Sequence, residues 1–305
     1  MKRILITGAT GYIGKHLINS IANNLKCVEI RLMSRTRHPN FETIVCDFLF
    51  DKVRDQNFDG IDTVIHLAGV AHDIKNINDD SVYHKINVDL TVDMASIAAR
   101  NNVNNFIFIS SVKAGGNFYK SKCLNEKNQK KPKDVYGLTK RIAEKKLLEI
   151  DKEFNMNVSI IRPSLVYGPN IKGNLESMMC GIKAGWFPPL PEIKNQKSMI
   201  HVDDLVRAIL FFVKDDHSNR GIFIATDGVP YSSREIYNAM CGVIGKSIPK
   251  WEVPKIFFDI VSLVSPRIKY KVNKLLGDEC YSSGKLEKLG FKAQKTLKDM
   301  NETDF

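Results

Sequence analysis

Ile4-Leu5-Ile6-Thr7-Gly8-Ala9-Thr10-Gly11-Tyr12-Ile13-Gly14 opens the chain with an apolar run, a glycine turn and the start of a helical pattern. The run suits a buried parallel strand. Leu17, Ile18, Ile21 and Ala22 follow at helical spacing. In this strand–turn–helix setting Gly8 permits the tight turn, Gly11 lets backbone approach a pyrophosphate, and Gly14 lets helix and strand pack closely. The helix start adds amide donors and a partial positive charge. The stretch predicts a dinucleotide site on an α/β sheet.

Working outward, strands are predicted at 27–33, 42–46, 63–67, 106–109 and 158–161, with helices at 81–100 and 136–154 between them. Strands alternating with helices predict a Rossmann-type, doubly wound parallel sheet. Beyond Gly168 prolines gather at Pro169, Pro188, Pro189 and Pro191. A helix is expected at 203–214 and a strand at 221–225. Ser232 and Glu235 form a capping box opening another helix, and 256–276 reads as one long or kinked helix. The expected division is a cofactor domain over 1–168 and a smaller substrate lobe over 169–305, interleaved with the first because no linker separates them.

The 305 residues carry a formal net charge of +11, which is compatible with nucleic acid, an anionic membrane or an anionic substrate. Lysines are dispersed, and the cluster Lys127, Lys130, Lys131, Lys133 is interrupted by Asn128, Gln129 and Pro132. It suits a solvated loop, so nucleic acid is not expected. Cys27, Cys46, Cys123, Cys180, Cys241 and Cys280 contain no C-x-x-C pair. No zinc site, other metal or disulfide framework is expected, and a reducing cytoplasm suits them. No signal-peptide pattern precedes the first strand. Nothing reaches the ~20 apolar residues of a spanning helix. The nearest stretch, 256–264, is interrupted by Asp259 and suits a membrane-surface helix or, more commonly, a buried or interface helix.

An acidic residue about 20 positions after the glycine turn would bind the ribose of NAD. Here the chain reads Ser34-Arg35-Thr36-Arg37. Arg35 and Arg37 could neutralise a 2′-phosphate, and Ser34 could donate to it. NADP(H) is therefore favoured, with NAD(H) open, although such arginines also suit a solvent-facing loop. Asp47 suits an adenine acceptor or a turn residue. Tyr136 and Lys140 stand at i and i+4, on one helix face. A cation beside a phenol lowers its pKa, which makes Tyr136 a candidate general acid or base. The same spacing also suits a surface helix with an aromatic anchor.

Seven motifs occur in order: Thr7-Gly8-x-x-Gly11-x-x-Gly14, His66-Leu67-Ala68-Gly69, Ile86-Asn87-Val88, Ser110-Ser111, Tyr136-x-x-x-Lys140, Arg162 to Pro169, and Ile200 to Leu205. Over residues 4 to about 230 the chain resembles the extended short-chain dehydrogenases/reductases, the group of sugar-nucleotide epimerases, dehydratases and reductases. The resemblance implies that Ser111 hydrogen-bonds the reacting oxygen and Tyr136 passes the proton. Lys140 would bind the nicotinamide ribose and lower the Tyr136 pKa. Gly8, Gly11, Tyr12, Ile13, Gly14, Ser34, Arg35, Asp47, Phe48, Leu67, Ala68 and Gly69 would line the cofactor groove. Pro163 and Val166 would flank the nicotinamide, and Asn87 would support the active-site helix. Relatives often dimerise through the helices corresponding to 81–100 and 136–154, which implies a homodimer through them, although such helices also suit a simple cover for the sheet.

A narrower resemblance rests on Ser110-Ser111-Val112-Lys113, Lys172-Gly173-Asn174-Leu175 and Pro188-Pro189-Leu190-Pro191. It is to bacterial 4-reductases of UDP-linked 4-keto-6-deoxy-N-acetylhexosamines, which serve surface polysaccharide synthesis. It implies a UDP-sugar substrate near Lys113, Asn174 and Leu175. Lys197 stands where relatives often place a pyrophosphate arginine, and also suits a surface lysine. A UDP-sugar 4-epimerase with tightly bound NAD uses the same Ser111, Tyr136 and Lys140 and is the alternative. A non-catalytic NADP-sensing protein is more remote, because such proteins lose the Tyr/Lys pair. No integral membrane association is expected.

Overall fold

The computed structural model describes residues 2–24, 28–71, 79–116, 123–128, 130–214 and 219–301. In chain order the elements are β1 (Lys2–Thr7), α1 (Tyr12–Asn24), β2 (Val28–Ser34), β3 (Glu42–Val45), β4 (Thr63–His66), α2 (Asp80–His84), α3 (Leu90–Arg100), β5 (Asn105–Ile109), α4 (Val135–Glu153), β6 (Asn157–Pro163), β7 (Leu165–Tyr167), α5 (Asn174–Ala184), β8 (Lys197–His201), α6 (Val202–Lys214), β9 (Gly221–Ala225), β10 (Pro230–Tyr231), α7 (Ser233–Val243), α8 (Lys255–Ser262), α9 (Pro266–Leu276) and α10 (Gly284–Lys288). Cys27, the expected start of the second strand, lies outside the described residues.

Two compact units result. The first comprises Met1–Asn117, Glu126–Pro163 and Leu205–Ala225. It holds a seven-stranded sheet in the order β3-β2-β1-β4-β5-β6-β9. Every pair in it is parallel, the expected doubly wound sheet. The strand order reverses between β1 and β4, which leaves a crevice at their carboxyl ends. β9 belongs to this sheet although it lies beyond residue 168, where a simple two-lobe cut would fall. Leu5, Val64, Phe106 and Val158 are buried in its core with Met94, Ala98 and Leu147 from the covering helices. Ile4, Ile6, Ile65 and Ile107, which alternate with these strand residues, are buried too, so the strands bury both faces.

α4 buries Thr139, Lys140, Ala143, Glu144, Leu147 and Ile150, which lie on one face at helical spacing. Asp134 caps its start, its carboxylate accepting from the Gly137 N–H at 2.7 Å. The helix expected over 81–100 is interrupted: Lys85–Asp89 winds as a π-turn that buries Ile86, Asn87 and Val88. Such turns are local insertions in the α-helical ladder, and hydrophobic periodicity does not reveal them.

The second unit comprises Phe118–Asn125, Ser164–Asp204 and Thr226–Phe305. It holds the short sheet β10-β8-β7 and a core that includes Tyr167, Leu190, Tyr237 and Leu276. The Ser232–Glu235 capping box forms as expected, and α7 follows it. The helix expected over 256–276 is two helices, α8 and α9. Pro266 has no N–H to continue a helix, and Ser265 caps α9 by accepting from the Ile268 N–H at 3.2 Å. Cys123 and Cys280 are disulfide-bonded across a sequence separation of 157, contrary to the expectation drawn from their scatter. The bridge pairing Leu124 with Tyr281 makes them neighbours, a proximity that local spacing cannot show.

A Cβ at Gly14 would stand 2.3 Å from the Gly8 carbonyl oxygen and 2.8 Å from the Ala9 Cα. Both are backbone atoms and cannot swing away. Gly14→Ala is expected to lower the unfolding free energy by about 1–3 kcal/mol in a urea titration.

Candidate active site

The crevice between β1 and β4 is built by backbone fit. Gly8 has φ +71°, and a Cβ there would meet the Ala68 nitrogen at 2.6 Å and the Leu67 carbonyl carbon at 2.7 Å. The Gly11 N–H donates to the Gly8 carbonyl at 3.0 Å and closes the turn. α1 begins at Tyr12 with Ile13 and Gly14 in its first turn, which holds no acidic residue. Its opening amides therefore meet no local carboxylate. This donor set fits the phosphates of a dinucleotide.

Behind the crevice runs a buried polar chain. The Thr91 hydroxyl donates to the Asn87 carbonyl at 2.9 Å, so its oxygen accepts from His66 Nε2 at 3.0 Å. His66 Nδ1 is then the acceptor for the Thr7 hydroxyl at 2.8 Å, and the Thr7 oxygen accepts from the Ala68 N–H at 3.2 Å. The partners thus assign the His66 tautomer. Burial, and secondarily the Lys140 charge, push the His66 pKa down to about 3, so the ring is neutral. Asn87 extends the chain. Its side chain accepts from the Val70 N–H at 2.8 Å and donates to the Val70 carbonyl at 3.0 Å and the Thr139 hydroxyl at 3.1 Å. It fixes the loop after β4 against α4.

α4 supplies Tyr136 and Lys140. Ser111 ends the link from β5 and caps a short 3-10 turn, accepting from the Lys113 N–H at 3.2 Å. Its side chain is hydrogen-bonded with the Tyr136 phenol. Burial pushes the Tyr136 pKa up to about 12, against the Ser111 hydrogen bond; Asp134 and Glu144 raise it further, and Lys113 lowers it. The sequence assigned that lowering to Lys140; Lys113 is a cation it did not name for this role. Lys140 is buried. Its Nζ donates to the Ile109 carbonyl at 2.9 Å and lies 4.5 Å from the centre of the Phe108 ring. Burial brings its pKa down to about 8, partly offset by Glu144. A Cβ at Gly69 would stand 3.1 Å from Nζ, so the glycine leaves room for the ammonium.

Beneath this group lies a buried fork. Arg162 donates through Nε to Glu144 Oε1 at 2.7 Å and through Nη2 to Oε2 at 2.5 Å. The Ser110 hydroxyl donates to Oε1 at 2.6 Å. Sequence reasoning missed this network, although Glu144 stands four residues after Lys140 and so on its face. It also quoted His66 within a motif without seeing its place in the polar chain.

The other expected site residues divide between the two units. In the first, Ser34 is buried and its hydroxyl donates to the Thr36 carbonyl at 2.6 Å, while Arg35 and Arg37 are exposed. Asp47 is a turn residue: its carboxylate accepts from the Leu49 N–H at 3.0 Å. Phe48 packs on the core, and Pro163 ends β6. Val166, Asn174, Leu175 and Lys197 belong to the second unit. Asn174 is exposed at the start of α5, while Leu175 is in the core. Lys197 is not a surface lysine: it is 5% exposed in β8, and its ammonium donates to the Lys274 carbonyl at 2.8 Å.

Glu144→Ala leaves the Arg162 guanidinium buried without this counter-charge. The expected loss of unfolding free energy is about 3–5 kcal/mol in denaturant titration. Glu144→Gln removes the charge that supports the Lys140 ammonium, so Lys140 is expected to titrate below about 8, read by NMR of a lysine-labelled sample.

A family model described as the NAD dependent epimerase/dehydratase family matches residues 4–225. A UDP-glucose 4-epimerase of Vibrio cholerae is 32% identical over 265 residues, 83% of this chain and 78% of the relative. An N-acetyl-alpha-D-glucosaminyl-diphospho-ditrans,octacis-undecaprenol 4-epimerase of Escherichia coli O157:H7 is 26% identical over 313 residues, 96% and 91% of the two chains. Among solved structures, a UDP-glucuronic acid 4-epimerase from Bacillus cereus in complex with UDP-glucuronic acid and NAD is 20% identical, with a TM-score of 0.79 and coverage of 99% and 97%. That structural likeness carries the fold alone. The length of the family match and the Vibrio relative together place this chain in the NAD dependent epimerase/dehydratase family.

Proposed function

We propose that the protein is a UDP-sugar 4-epimerase that works with NAD. What carries this reading is the 32% identity to a UDP-glucose 4-epimerase over 83% of this chain; the Ser111–Tyr136 hydrogen bond supplies the proton-transfer pair that either C4 reaction needs. The relatives reported above are 4-epimerases, which favours this reading over the 4-ketoreductase that the sequence put first. The solved neighbour holds NAD, which favours NAD over the NADP(H) inferred from Arg35 and Arg37.

The chain's own residues suit the chemistry. The glycine turn and the start of α1 would hold the cofactor's phosphates, and Lys140 would hold its ribose. NAD, when bound, supplies the acceptor and donor for hydride at C4 of the sugar. Ser111 offers a hydroxyl to the C4 oxygen and would stabilise negative charge developing there. Tyr136 moves the proton at its phenolic oxygen, taking it from the C4 hydroxyl and returning it after the sugar has presented its other face. Burial pushes the phenol's pKa up to about 12, which suits the half-reaction that returns the proton, whereas taking the proton from the C4 hydroxyl needs the ionised phenol. The charge of Lys113 and the Ser111 hydrogen bond pull the other way and favour its ionised form.

One relative is named for a sugar diphosphate carried on undecaprenol and aligns with 96% of this chain. The C4 chemistry is the same on such a carrier, so the lipid-linked sugar is a second substrate to assay.

Purified protein incubated with UDP-glucose or UDP-N-acetylglucosamine, without added cofactor, is expected to yield the C4 epimer by NMR and to release NAD on denaturation. Oxidation of NADPH in step with a UDP-4-keto-6-deoxy sugar, with no epimer formed, would return the assignment to the reductase. Tyr136→Phe is expected to lower kcat by about 10²–10⁴-fold with the UDP-sugar Kd little changed. An unchanged kcat would remove Tyr136 from the proton path.

A further inference from the structure

The helix pair α8–α9 presents a surface that C4 chemistry does not use. α8 buries none of its residues; Phe258 leans on the core of the second unit. Ile256 and Ile260 stand one turn apart in α8, with Phe257 and Val261 beside them, so one face is apolar, and Leu263 and Val264 follow the helix end. Ile256 is 62% exposed, Val264 73% and Leu263 79%. Trp251, just before α8, is 62% exposed. A contiguous apolar face of this kind marks an interaction surface.

The charges around it indicate the partner. α9 packs on α8 and leaves Arg267, Lys269 and Lys271 exposed. Lys250 is exposed just before α8. The carboxylates nearby, Glu252 and Asp259, are already engaged. Glu252 accepts from the Glu192 N–H, and Asp259 pairs with Lys255 at 2.7 Å. Apolar residues flanked by cations, with an exposed tryptophan, match the chemistry of an anionic bilayer surface. No helix among the described residues is long and apolar enough to cross a membrane, which leaves an in-plane contact.

We propose that α8–α9 docks the protein peripherally on an anionic membrane. The apolar face of α8 and Trp251 enter the boundary between headgroups and acyl chains. The cations of α9 meet the lipid phosphates.

The test is sedimentation of the full chain with vesicles of equal parts phosphatidylcholine and phosphatidylglycerol, and with phosphatidylcholine alone. Binding to the mixed vesicles is expected to exceed binding to phosphatidylcholine and to fall as salt shortens the screening length. The double variant Phe257→Glu/Ile260→Glu is expected to lose about tenfold or more in vesicle affinity. Arg267→Glu/Lys271→Glu is expected to flatten the salt dependence. Both are expected to keep the wild-type Tm and turnover on a soluble UDP-sugar. Failure of the wild type to bind the mixed vesicles overturns the proposal, as does unchanged binding by both variants. So does an oligomer that Phe257→Glu/Ile260→Glu dissolves without any vesicle binding, which would assign the face to a second copy of the chain. Should that variant not fold, the salt dependence and the charge variant still decide. Vesicle binding is read without turnover and stands apart from the epimerase reading.

Discussion

The fork between Arg162 and Glu144 joins three pieces of chain that must meet for the site to exist. Glu144 rides on α4 one turn beyond Lys140, Arg162 lies near the end of β6, and Ser110 follows β5 and adds a third hydrogen bond. Removing both charges from water is costly, and only this saturated geometry offsets it. Glu144 raises the pKa of both Lys140 and Tyr136. One buried carboxylate thus aligns α4 and biases the two groups above it.

A second constraint is the neutral chain from Thr7 through His66 and Thr91 to Asn87 and Thr139. It runs from the glycine turn to the helix that carries Tyr136. Thr139 itself donates back to the Val135 and Tyr136 carbonyls. The π-turn at Lys85–Asp89 carries Asn87, and the loop side of its amide is used by both backbone groups of Val70. Keeping His66 uncharged matters here. A protonated ring would have to donate at both nitrogens, and the Thr7 hydroxyl would lose its acceptor.

Most of the parallel sheet was legible because buried strands and glycine turns write strong local patterns. The runs Ile4–Ile6 and Phe106–Ile109 and the turn at Gly8–Gly14 need only neighbouring residues to be read. Tyr136 and Lys140 were legible for the same reason, since one helical turn relates them. The features that escaped are contacts between distant segments. Glu144 meets Arg162 across 18 residues, and Cys123 meets Cys280 across 157. Lys113 also acts on the Tyr136 pKa because its side chain folds towards the phenol, a contact that spacing alone does not show. The break at Pro266 was written plainly in the sequence and was outweighed by the apolar periodicity on either side.

β9 is made from residues 221–225 yet pairs with β6, from Ser159 against Gly221 to Pro163 against Ala225. Residues 164–204, between them, belong to the other unit. During synthesis from the N-terminus, β6 therefore leaves the ribosome long before its partner. Until residue 225 emerges, the sheet ends in an unpaired strand rich in isoleucine and valine, an edge open to wrong pairing. The order of the strands makes completion of the seven-stranded sheet a late event in the life of the nascent chain.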